Sequence, residues 1–221
     1  SVDPDNLLLA RQNSLRVPAE VVRDAGLAVS GLLDHRMNGP SVFPPQPQRV
    51  NDEGFGNHLW KTSPGGDRYR RGLYTFVIRT TPFAQGITFD APNPNEICTR
   101  RIRSNTPLQA LVLLNDPLFV EAARALAERA IREGGKSAAE RIAFAFRLAT
   151  SRKVKEKELR ILLAEYSDRL AEFQSNEQSA KAYLAGGGER PTPADVESTE
   201  LAATAAVISL ILNLDESISK S

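Results

Sequence analysis

The sequence predicts a mainly α fold: a helical scaffold with a long loop-rich, arginine- and aromatic-rich insertion that carries at most a few short strands. Three observations lead there. A helix-start signal recurs, in which a capping residue precedes proline at the first helical position. Apolar residues follow at helical spacing. A central third of the chain lacks both features.

Thr106-Pro107-Leu108-Gln109 is the fullest start signal, because Gln109 stands where it can return to the amide of the capping residue. Asp116-Pro117 and Thr192-Pro193 repeat it, and Asp3-Pro4 does so near the beginning. Each such cap is worth about 1 kcal/mol. The stripes agree with the caps. Phe119, Ala122, Ala123, Leu126, Ala127 and Ala130 share one helical face, and Leu159, Leu162, Leu163, Tyr166, Leu170 and Phe173 share another. Residues 18–33 and 138–150 read as helices by the same spacing. Gly134-Gly135 and Gly186-Gly187-Gly188 separate successive helices. The longest apolar run, residues 201–212, includes Thr204 and Ser209 and falls short of the roughly 20 residues that span a bilayer, so it reads as a buried helix with no membrane span.

Residues 34–105 differ in kind. They hold eight of the 14 prolines, seven of the 14 glycines and eight of the 14 aromatic residues, a composition that breaks helices yet supplies enough apolar surface to pack. Leu73-Tyr74-Thr75-Phe76-Val77-Ile78 is the best strand candidate, with a short buried helix as its alternative, and Gly86-Ile87-Thr88-Phe89 is a weaker strand. The expected organisation is one C-terminal domain of a longer protein: N-terminal helices over 1–33, the irregular insertion over 34–105 and a helical region over 106–221. The chain opens without an initiator Met or a signal-peptide pattern, which agrees with sequence upstream of it.

Composition narrows function by exclusion. With 28 basic and 27 acidic side chains the net charge is +1, which argues against a dedicated nucleic-acid binder. The single cysteine, Cys98, rules out an internal disulfide, a CxxC zinc site and a CxxCH haem attachment. His35 and His58 lie 23 residues apart, with no metal-ligand spacing. Phosphate-loop, dinucleotide-binding and nucleophile-elbow motifs are missing.

Arginine is the informative residue. Between residues 68 and 103 there are seven arginines, two acids (Asp90 and Glu96) and no lysine. Guanidinium suits bidentate contact with carboxylate, sulfate or phosphate. Arg71, Arg79, Arg100 and Arg101 are therefore the candidate anion-binding residues. The structural alternative is that guanidiniums pin an irregular loop through its backbone carbonyls and pair with Asp67, Asp90 and Glu96, and it is the stronger of the two readings. Asp90 is a weak candidate acid or base, should it meet Asp52, Glu53 or Asp67. Cys98 stands among arginines that would favour its thiolate if exposed, although burial as a small apolar group is the expectation for a lone cysteine.

The ordered motifs Pro18-Ala19-Glu20 with Arg23-Asp24, Ser30-Gly31-Leu32-Leu33, Gly39-Pro40-Ser41-Val42, Arg70-Arg71-Gly72-Leu73-Tyr74-Thr75-Phe76, Phe89-Asp90-Ala91-Pro92, Cys98-Thr99-Arg100-Arg101 and Ser104 through Pro117 resemble the planctomycetal domain of unknown function 1553. One departure is Phe76-Val77-Ile78-Arg79, where relatives tend to carry an aromatic and a basic residue before the arginine. The resemblance implies the C-terminal domain of a large exported protein, with a second uncharacterised domain upstream and often a cytochrome-c-like domain before that. No cofactor is expected in this chain; any haem would belong to the upstream part. The partners implied are the upstream domain of the same polypeptide and an acidic or sulfated glycan. The leading expectation is a scaffold or site-completing module. The alternative is an extracellular glycan-processing domain with an arginine-lined anion site and Asp90 as acid or base.

Overall fold

The computed structural model describes residues 3–10, 12, 14–47, 60–186, 188 and 191–220. His58, Asp52, Glu53 and Phe55 lie outside the described residues. Among those described there are nine helices: α1 (Ala19–Ser30), α2 (Ala84–Thr88), α3 (Pro107–Asn115), α4 (Pro117–Glu133), α5 (Ala138–Thr150), α6 (Glu156–Ser175), α7 (Glu177–Ala185), α8 (Ser198–Leu212) and α9 (Asp215–Ile218). Two short strands, β1 (Leu15–Arg16) and β2 (Ser219–Lys220), pair antiparallel. The fold is mainly α, as the caps and stripes require.

Two of the four start signals do what the sequence asks. Asp116 accepts from Leu118 N–H at 3.0 Å and starts α4. Gln109 Oε1 accepts from Thr106 N–H at 3.4 Å at the start of α3. Gly31, at φ 80°, ends α1 in the left-handed conformation that glycine adopts at least cost. Two signals mark turns instead. Asp3 accepts from the amides of Leu7 and Leu8, both at 2.9 Å, and closes a turn with no helix behind it. Thr192-Pro193 precedes a turn, and α8 begins five residues later at Ser198.

α8 is the axis of the larger core. Its apolar residues face α4, α5, α6 and α7, and Leu201, Ala203, Val207, Ile208 and Ile211 are fully buried. Alanines on α4 (Ala122, Ala123, Ala127 and Ala130) are also buried and let these helices approach closely. A second cluster joins α1 to α3 and α4 through Val22, Leu27, Phe89, Leu113, Leu118 and Phe119. Val17 N–H donates to Ile218 C=O at 2.9 Å beside the β1–β2 pair, so the two ends of the described chain are tied together.

The insertion packs on these helices, but neither expected strand forms. Residues Gly72–Tyr74 make a 3-10 turn, after which Thr75 joins Val42 in an isolated parallel bridge. Residues 84–88 are helical. A segment of five or six residues carries too little periodicity to distinguish these states, and its neighbours decide. Ordering comes from an aromatic cluster: Phe43 stacks on Phe76 with centroids 4.8 Å apart, Trp60 stacks on Phe83 at 5.5 Å, and Phe43 meets Trp60 edge-on at 5.1 Å. Trp60 also donates to Pro44 C=O at 2.8 Å.

Candidate functional site

The arginines that hold the insertion are mostly not the ones the spacing singled out. Arg23 on α1, 2% exposed, donates to Arg70 C=O at 2.6 Å and Arg68 C=O at 2.7 Å. Arg70 is buried in turn, donates to the carbonyls of Asn38 and Pro40, and lies 3.8 Å over the Tyr74 ring. Arg68 donates to Ser63 C=O. A loop region has carbonyls that no helix satisfies, and each guanidinium supplies several fixed donors to meet them. Burial pushes Arg23 down to about 10, while Asp24 and Asp116 pull it upward, so it stays charged at neutral pH.

Asp90 belongs to the same kind of structure. It sits at φ 61°, a conformation aspartate tolerates better than most residues. Its carboxylate pairs with Arg16 and accepts from Ser104 N–H at 2.8 Å and Ser104 Oγ at 2.9 Å. Gln109 extends the network by donating to Ser104 Oγ at 3.2 Å and Thr88 C=O at 2.9 Å. Partial burial raises the Asp90 pKa, but the Ser104 bonds and Arg16 outweigh it and leave the carboxyl below its ordinary range. An ionised, hydrogen-bonded aspartate cross-links β1, α2 and α3 well and is poorly disposed to donate a proton at neutral pH. Asp67 is engaged elsewhere, by Arg36 at 2.7 Å.

The four candidate arginines do not converge. Arg71 lies between Asp24, at 3.7 Å, and Met37 Sδ, at 3.8 Å. Arg101 pairs with Glu20 at 2.7 Å, and Arg100 is exposed. Arg79 alone lines the principal cleft, where it donates to Asn95 Oδ1 at 3.0 Å. Cys98 is exposed, correcting its expected burial: it stands on a loop whose neighbours Ile97 and Thr99 are exposed as well. His35 is exposed too, and among the described residues no three His, Cys, Asp or Glu side chains gather as a metal site requires.

The cleft, of about 610 Å³, lies between the first turn of α1, residues 72–80, and the α2 region through residue 95. Gly72 shapes one wall: a Cβ there would lie 3.1 Å from Glu20 Cα, closer than an ordinary contact, so glycine eases this approach, and its N–H donates to Asp24 Oδ1 at 2.6 Å. Phe76, Phe83, Ala91 and Pro92 give the walls an apolar character, and Glu20 and Arg79 charge the rim. Around the opening, Leu73 is 69% exposed, Val77 59% and Ile87 57%. Nothing in the sequence marked this cleft, because its residues come from three separated segments.

Fold and site together define a helical domain carrying an irregular, arginine-pinned layer with an apolar cleft. The chain belongs to the family described as Protein of unknown function (DUF1553), whose profile matches residues 1–166. No curated protein and no solved structure matches it. The quoted motifs meet in space: Arg23 with Arg70, Asp24 with Gly72, and Asp90 with Ser104, which in turn accepts from Gln109. Residues beyond the matched span nonetheless include α8, the axis of the core.

Proposed function

We propose that this chain is a site-completing module whose cleft face packs on a partner domain. In the setting the family resemblance implies, that partner is an upstream domain of the same exported polypeptide. The observation that carries the reading is the apolar cleft mouth: Leu73, Val77 and Ile87 stand exposed around a concave, largely apolar surface. Contiguous apolar surface of this kind marks interaction sites. Arg79 and the Glu20–Arg101 pair would form a polar rim. Any haem or glycan chemistry would then reside with the partner. Hydrogen exchange of residues 72–77 and 84–88 tests the reading, comparing this chain alone with the full-length polypeptide. Strong protection in the full-length protein is expected, and equal exchange in both would refute the docking face.

A further inference from the structure

The cleft contains a buried amide with nothing to bond. Gln85, 4% exposed, makes no side-chain hydrogen bond to any described residue, and its buried Nε2 is left without an acceptor although the residue lines the cleft. A buried polar group without a partner is uncommon, and this one lines the cleft. A second feature of the same cleft points to the same kind of ligand. Val42 N–H donates to Tyr74 C=O and Phe76 N–H donates to Val42 C=O, each at 2.8 Å. Main-chain groups of an extended segment alternate in direction, so Thr75 C=O and Val77 N–H belong to the opposite edge. Among the described residues neither has a hydrogen-bond partner. Thr75, Phe76 and Val77 all line the cleft.

We infer that the cleft receives an extended peptide segment, which adds a strand along residues 75–77, places an apolar side chain against Phe83 and Ile87, and satisfies the Gln85 amide with one of its peptide groups. This rests on the docking face proposed above and specifies how the partner engages it. A carboxamide carries a donor and an acceptor spaced to match a peptide N–H and C=O. A docking helix has spent its main-chain groups internally, and a compact apolar molecule has none to offer, so either would leave residue 75, residue 77 and Gln85 unmatched. Arg79, an exposed cation paired here with the neutral Asn95, favours an acidic residue beside the apolar anchor.

The test selects a displayed library of random dodecapeptides on the 221-residue chain, then remakes the winners with single backbone N-methyl groups. Strand addition predicts alternating apolar residues and affinity losses of about tenfold at alternate methylated positions. Gln85→Leu and Val77→Pro should each weaken binding by about tenfold with melting temperature little changed. The methyl scan stands even if a variant fails to fold. Winners that bind as helices, that tolerate every methyl group, or that ignore both variants would overturn the inference, as would no selection at all. A concentration-dependent dimer displaced by the peptides would make a second copy the occupant and overturn the partner assignment. Cleft protection in the full-length polypeptide without strand-adding peptides leaves the docking face standing and removes this mode. Strand-adding peptides with an unprotected cleft do the reverse.

Discussion

The helical region, residues 106–220, and the irregular region, residues 34–105, meet the same requirement by opposite means. Helices α4 and α8 satisfy their backbone groups internally and need only bury a face, which rows of alanine and aliphatic residues accomplish. The irregular region leaves carbonyls that no helix or sheet ladder satisfies, so Arg23 reaches them from α1 while Arg68 and Arg70 reach them from within the region. The first region therefore depends on packing volume. The second depends on a few long side chains whose loss would be felt at several carbonyls together.

Replacing Arg23 with Met is the sharpest way to break that contrast. It leaves the Arg68 and Arg70 carbonyls bare and uncouples α1 from the insertion, so a loss of about 3–5 kcal/mol is expected. Limited proteolysis should cut within residues 34–105 while the helical circular dichroism survives. A loss under about 1 kcal/mol would mean that Arg23 is not the anchor. Ile208→Ala is the counterpart in the helical region and should cost about 2–5 kcal/mol. Denaturant unfolding should then remain one cooperative transition, because the cavity weakens the shared axis; a separate early transition for the insertion would contradict this.

Asp116, at the start of α4, feels the charge of Arg23, the anchor of the irregular region. Burial pushes its carboxyl from 3.8 up to about 6, against the Leu118 N–H bond and the charge of Arg23, which pull it down. Between those values the folded protein keeps a proton that the unfolded chain has released. This contribution to stability is therefore full below about pH 4 and lost as pH rises through about 6, by about 3 kcal/mol at 1.36 kcal/mol per pH unit. Other carboxylates slope the opposite way, so the measurement is a difference. Urea midpoints from pH 4 to 7 should diverge between wild type and Asp116→Asn, with the variant gaining relative stability at the upper end. Parallel profiles would contradict the raised value.

The smallest expected effect sharpens the contrast from the other side. Arg79→Gln touches an exposed guanidinium bonded to Asn95, so the melting point should barely move, with about 0.5 kcal/mol or less lost. A large drop would place Arg79 with the structural arginines. Affinity for a partner or an acidic peptide should fall, since that charge stands at the cleft rim.

Much of the helical region was legible because its signals are local. Asp116 caps the amide two residues on, and the Phe119-to-Ala130 stripe closes within one helix. Legibility failed where a local signal had a competing use. Asp3-Pro4 and Thr192-Pro193 look like helix starts, but their side chains serve turns or Arg124, which donates to Thr192 Oγ1 at 3.4 Å. The arginine-rich composition suggested carbonyl pinning, which Arg68 and Arg70 perform, but not which guanidiniums were buried, and Asp90 and Asp67 pair with Arg16 and Arg36, outside that arginine run. Arg68 and Arg71 look alike in sequence; one is 6% exposed and the other has a side chain 43% exposed.

By itself, then, the sequence determined the longer helices, the caps at Thr106 and Asp116 and the packed but irregular character of residues 34–105. These follow from spacing within a few residues and from composition. The tertiary structure decided which arginines became anchors, that Asp90 would cross-link to Ser104 and Arg16, and that Gln85 would lie unpaired in a cleft. Those outcomes depend on desolvation and on meetings between residues such as Arg16 and Asp90, 74 positions apart, and no local window contains the geometry that selects them.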